Sequence, residues 1–185
     1  MTSTEQPIVT IDLGNQEDGA NSNERLLFSA KQDLEDLFLE IIDSNNSDYD
    51  INFKDGLGNT ALHYAVMNLS PNVLELILEH EGCDVDLLNY QGQTPLHCAM
   101  NIKDLKPRLL ITKSLLEAGA DPRIRNKYHE KPIDTLLSPQ PSDEPELVEL
   151  RKCLMEAEAE INIAPDDIAN DYEDDLNDVA SEDSG

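Results

Sequence analysis

Apolar residues recur at helical spacing through the middle of this chain and thin out at both ends. Val73, Leu74, Ile77 and Leu78 share one face of an α-helix. Leu26-Leu27-Phe28 and the stretch from Leu34 to Ile42 mark an earlier helix pair, and Pro132 to Leu137 followed by Glu144 to Glu160 mark a last one. Residues 1–24 are polar apart from the short patch Ile8-Val9-Thr10-Ile11, and residues 163–185 are mostly acidic and small. Segments of that kind bury too little apolar surface to offset their ordering entropy, so both are expected to be disordered tails around an ordered 25–162.

Within the ordered part the chain repeats itself. Gly58-Asn59-Thr60-Ala61-Leu62-His63-Tyr64-Ala65 matches Gly92-Gln93-Thr94-Pro95-Leu96-His97-Cys98-Ala99 at an offset of 34 residues. Asp55 and Asn89 stand three residues before the two glycines, and a degenerate third copy runs from Asn126 to Asp134. Thr60 and Thr94 are placed to cap helices, and Pro95 occupies a first helical position, where its missing N–H costs nothing. Ser70-Pro71 reads as the same device for a second helix, and Gly82 and Gly119 as left-handed helix ends. Each unit therefore reads helix, turn, helix, projecting hairpin, and four units are expected at about 25–52, 53–86, 87–125 and 126–162. Lys106-Pro107-Arg108 accounts for three extra residues in the third unit.

The period and the Thr-Pro-Leu-His motif at 94–97, with Ala61 in place of Pro in the copy at 60–63, resemble the ankyrin repeat. The resemblance implies an all-α solenoid of about four helix-turn-helix units with hairpin loops, its end units departing from the pattern to present polar outer faces. It also implies that His63 and His97 brace neighbouring loops by hydrogen bonds, a structural role to set against catalysis or metal binding.

Composition narrows the function. There are 39 acidic against 13 basic residues, a formal charge of −26, no Trp, and 4% aromatic residues, so the core is aliphatic. Such a surface repels nucleic-acid phosphate and anionic membrane. Cys83, Cys98 and Cys153 are odd in number and form no C-x-x-C pair, which reads as reduced, buried thiols. The N-terminus shows no secretory pattern and no apolar run spans a bilayer. The sequons at Asn45 and Asn68 therefore carry no expectation of glycosylation, and the expected compartment is cytoplasm, nucleus or both.

No nucleophile elbow, phosphate loop or dinucleotide fingerprint is present, and the acidic end lacks the glycine of a calcium loop. His80 and His129 have no partner at ligand spacing. The expectation is a non-enzyme with no cofactor and no metal that binds another protein, monomeric, without membrane or nucleic-acid partners.

By resemblance, a partner would meet the hairpin tips and first helices. Leu57, Tyr90, Gln91, Lys127 and Tyr128 lie on those tips, and tyrosine is enriched where interface energy concentrates. Packing between adjacent hairpins is the alternative role for the tyrosines. Eight of the thirteen bases fall between 103 and 131, with four acids, so that Arg123, Arg125 and Lys127 read as one basic hairpin face. Two mechanisms stay open: an adaptor or regulator using tips and concave face, or a chaperone or sequestering factor whose acidic tail, with Asp171, Glu173, Asp174 and Asp175, holds a basic client. The run from Ala120 to Lys127 is similar to the last loop of small acidic-tailed ankyrin proteins that shield clients such as ribosomal proteins. Phosphorylation at Ser138, Ser142 or Ser181 is left open.

Overall fold

The computed structural model describes residues 20–44, 48–136, 140 and 143–162. Helix α1 (Ser22–Gln32) begins under a reciprocal cap: the Asn21 side chain accepts from the Glu24 N–H and the Glu24 carboxylate accepts from the Asn21 N–H. The helix thus starts at Ser22. Helix α2 (Glu35–Asp43) follows a sharp turn in which Asp33 takes the left-handed conformation, φ 54°.

The second unit comprises α3 (Ala61–Asn68) and α4 (Pro71–Glu79), the third α5 (Pro95–Met100) and α6 (Leu105–Glu117). The fourth is a single 3-10 turn (Pro132–Thr135) followed by α7 (Pro145–Asn162). No strand occurs among the described residues. First helices stack in one row, α1 on α3, α3 on α5 and α5 on the 3-10 turn, while α2 packs on α4 and α6 on α7.

The two rows close over an aliphatic core. Leu26, Ala30, Leu62, Ala65, Val66, Leu96 and Ala99 come from the first helices, and Phe38, Ile41, Val73, Ile77, Leu115, Leu150 and Leu154 from the second. Small residues at 30, 65 and 99 let successive first helices approach closely. Burying each large aliphatic side chain stabilises the fold by about 1.5–3 kcal/mol before entropy is counted.

Three local expectations are corrected. The Ser70 hydroxyl does not cap α4: it donates to the Ala30 carbonyl of the preceding unit at 2.7 Å. The α4 N-terminus is instead held by Asp33, whose carboxylate accepts from the Val73 N–H at 3.0 Å and the Asn72 amide at 2.9 Å. Gly82 is not left-handed; that conformation falls on Leu69 and on Gly119, with φ 58° and 93°. In the fourth unit, the helix expected from Pro132 to Leu137 shrinks to the 3-10 turn. The insertion in the third unit lengthens the α5–α6 link and the first turn of α6. There the Arg108 guanidinium donates to the Ile102 carbonyl in the link that follows α5.

Candidate interaction surface

The three tips at 55–59, 89–93 and 126–130 share one construction. An Asx side chain at the first position folds the loop onto itself: Asp55 Oδ1 accepts from the N–H of Leu57 and Asn59 at 2.9 and 3.0 Å. Asn89 does so for Gln91 and Gln93, and Asn126 for Tyr128 and Glu130. The fourth position is left-handed in each, with φ 78° at Gly58, 73° at Gly92 and 62° at His129. Burial pushes the Asp55 carboxyl up, but the Tyr64 hydroxyl and the two backbone donors outweigh it and hold the group below its ordinary range.

Successive tips touch. A Cβ on Gly58 would sit 2.7 Å from the Tyr90 amide nitrogen, and one on Gly92 2.9 Å from that of Lys127. The Tyr90 N–H donates to the Leu57 carbonyl at 3.0 Å, and the Asn89 amide donates to Asn59 Oδ1 at 3.0 Å.

His63 and His97 lock this row to the helices. Each imidazole Nε2 lies 3.0 Å from a carbonyl of the next hairpin, Gln93 for His63 and Glu130 for His97. A carbonyl only accepts, so Nε2 carries the proton and Nδ1 accepts from the Thr60 or Thr94 cap. Both rings are buried, and burial holds both below the ordinary histidine range. Every polar atom of these rings is thereby committed to structure.

What the tips leave outside is large. Leu57, Tyr90 and Tyr128 are 65%, 62% and 79% exposed, and Gln91 and Lys127 are exposed beside them. Tyr90 both packs its ring on Gly58 and shows its outer edge to solvent. Phe28 on α1 and Met67 on α3 add exposed apolar surface on the first helices. The sequence held a sign of Phe28, since Leu26, Leu27 and Phe28 cannot all face inward on one helix. Lys31 lies 3.9 Å over the centre of the Tyr64 ring.

The basic face is rearranged by the fold. Arg123 pairs with Asp121 at 2.9 Å, and carboxylates from outside the 103–131 segment reach three more cations: Glu149 to Lys113, Asp134 to Arg125 at 3.7 Å, and Glu158 to Lys131. Arg123 is turned to its own loop, whereas Arg125 and Lys127 share an open groove of about 460 Å³ with Leu88, Asn89, Tyr90 and Gly92. The Lys127 ammonium donates to the Tyr90 carbonyl, and Arg125 to that of His129. Asp171, Glu173, Asp174 and Asp175 lie outside the described residues.

Among the described residues no group of three or more His, Cys, Asp or Glu is arranged to hold a metal, and no helix is long and apolar enough to cross a membrane. Burial pushes the Cys98 thiol up to about 12 and, with Asp84 adding to it, the Cys83 thiol to about 11.

This helix-turn-helix-hairpin stack, with Thr-His braces repeating along it, defines a class. The model of ankyrin repeats in three copies matches residues 26–126. An ankyrin repeat-containing protein of Saccharomyces cerevisiae is 38% identical over 127 residues, covering 63% of this chain and 70% of its own length. The human NF-kappa-B inhibitor delta is 36% identical over 88 residues, which are 46% of this chain and 28% of that protein. The human NF-kappa-B inhibitor zeta is 35% identical over 78 residues, 41% of this chain and 11% of that protein. The chain belongs to the ankyrin-repeat family. It is a protein-interaction module of that family, and spans only a small part of the inhibitors delta and zeta.

Proposed function

We propose that this protein is a non-catalytic adaptor or regulator that binds a partner protein along its hairpin tips and first helices. One observation carries the reading: Leu57, Tyr90 and Tyr128 project from three consecutive tips, each folded on an Asx loop, the second and third braced by buried histidines. Large side chains presented on a stiff frame lose little entropy on binding. Two relatives are named as inhibitors of NF-kappa-B, which agrees with regulation by binding in those proteins. The protein acts as a monomer in cytoplasm or nucleus, where its three thiols stay reduced.

A second reading makes the partner a basic client, held in the manner of a chaperone or sequestering factor. It is favoured by charge: residues 20–162 contain all 13 bases but 26 of the 39 acids. With several of those bases matched by carboxylates, the remaining surface favours a cationic partner.

Affinity capture with the full chain, with Tyr90→Ala/Tyr128→Ala, and with a chain ending at Asn162, at low and high salt, tests both. An adaptor loses its partner with the tyrosines and keeps it through truncation and salt. A client-holding factor loses a basic partner on truncation and at high salt. A partner indifferent to every one of these changes would sink both readings.

A further inference from the structure

We propose that the acidic run at 171–175 of this same chain lies against the cationic edge of the third hairpin, in the groove walled by Arg125, Lys127 and Tyr90. The place where the chain leaves α7 points there. Glu158, in the last turns of α7, pairs with Lys131, the residue that follows the third hairpin. Asn162, the end of α7, is one helical turn further on.

The length of chain fits as well. From the end of α4 at Glu79 to Asn89, the first residue of its hairpin, is ten residues, and from the end of α6 at Glu117 to Asn126 is nine. Nine residues beyond Asn162 stands Asp171. The span that carries the two preceding units from second helix to tip row therefore brings the acidic run level with the same row. Fully extended, nine residues reach about 30 Å, enough to curl around the hairpin edge.

Charge selects this occupant. Asp171, Glu173, Asp174 and Asp175 put four carboxylates in five residues. On the groove side, Lys127 is held by a neutral carbonyl, so its charge is oriented without being cancelled, and Arg125 is half exposed with Asp134 only at 3.7 Å. An acidic segment from another molecule must approach a chain of formal charge −26. The chain's own run is already tethered at an effective concentration in the millimolar range and pays only loop closure. The contact needs no regular structure in the run, and it does not depend on the binding reading above.

The test uses the full 15N-labelled chain. Asp171→Asn, Glu173→Gln, Asp174→Asn and Asp175→Asn together remove the charge without touching the described fold. The backbone amide signals of residues 125–129 should move relative to the unaltered chain, and the unaltered chain should move the same way as NaCl is raised from about 0.05 to about 0.5 M. Reciprocally, Arg125→Gln should move the amides of 171–175. These shifts should be the same over a tenfold range of protein concentration. Changes confined to 163–185, or centred on another face, overturn the proposal. A concentration-dependent shift also overturns it, in favour of contact between two copies.

Discussion

Each Thr-His pair spends a whole imidazole on connecting a helix start to the next hairpin, and the state of the ring decides whether the connection holds. His63 and His97 are neutral by construction, because Nδ1 faces the Thr60 and Thr94 donors while Nε2–H meets a carbonyl. Their pKa values are lowered in the fold, so the unfolded chain binds protons first as the pH drops. Stability should be full above the ordinary histidine value of about 6.5 and decline as the pH falls below it. Urea midpoints measured from about pH 7.5 down to about pH 5.5 should show this decline, and it should shrink in His63→Asn/His97→Asn. At the third tip His129 occupies the left-handed position that Gly58 and Gly92 fill in the others. Relief of about 1–2 kcal/mol of strain against about 0.4–1 kcal/mol of glycine chain entropy makes His129→Gly stabilising by about 0.5–1 kcal/mol, read as a raised Tm. The hydroxyl of fully buried Thr112 meets no hydrogen-bond partner among the described residues. Thr112→Val keeps its shape and should add about 1 kcal/mol in denaturant unfolding.

Between elements, the joints are polar and cross from one unit to the next. Ser70 reaches back to Ala30, Asp33 reaches forward to the first turn of α4, and Asp86 accepts from the Asp121 N–H at 3.0 Å. Because Ser70 and the Ala30 carbonyl are buried, Ser70→Ala leaves an acceptor unsatisfied and should cost about 1–3 kcal/mol, more than the loss of an exposed helix cap. Equilibrium unfolding by circular dichroism measures it; a change within about 0.5 kcal/mol would mean that the carbonyl finds another donor. Sequence periodicity located the helix pairs because burial on one face imposes its spacing. It did not show that Ser70 serves the neighbouring unit, since capping preference describes local geometry and the hydroxyl was claimed across 40 residues.

For the molecule as a whole, surplus negative charge opposes compaction. The described ion pairs lie mostly at the surface, where each contributes little, so repulsion among the many acids dominates the salt response. Raising NaCl to about 0.5 M should therefore raise Tm instead of lowering it. A lowered Tm would show that the ion pairs of Lys113 with Glu149, of Lys131 with Glu158 and of Arg151 with Asp143, the last at 3.7 Å, count for more than the repulsion.

The repeat period, the helix pairs of the first three units, the position of the hairpin tips and the bracing role of His63 and His97 were legible in the chain itself, through spacing and through the Thr-Pro-Leu-His resemblance. Those features depend on neighbours in sequence or on a motif that carries its fold with it. The tertiary structure alone decided which cations stay available. Glu149, Asp134 and Glu158 are up to 36 residues from the bases they meet, and only stacking of α7 and the 3-10 turn on the third unit brings them there. Composition counts charges along the chain, whereas a Coulomb interaction depends on separation in space, and that separation is set by packing.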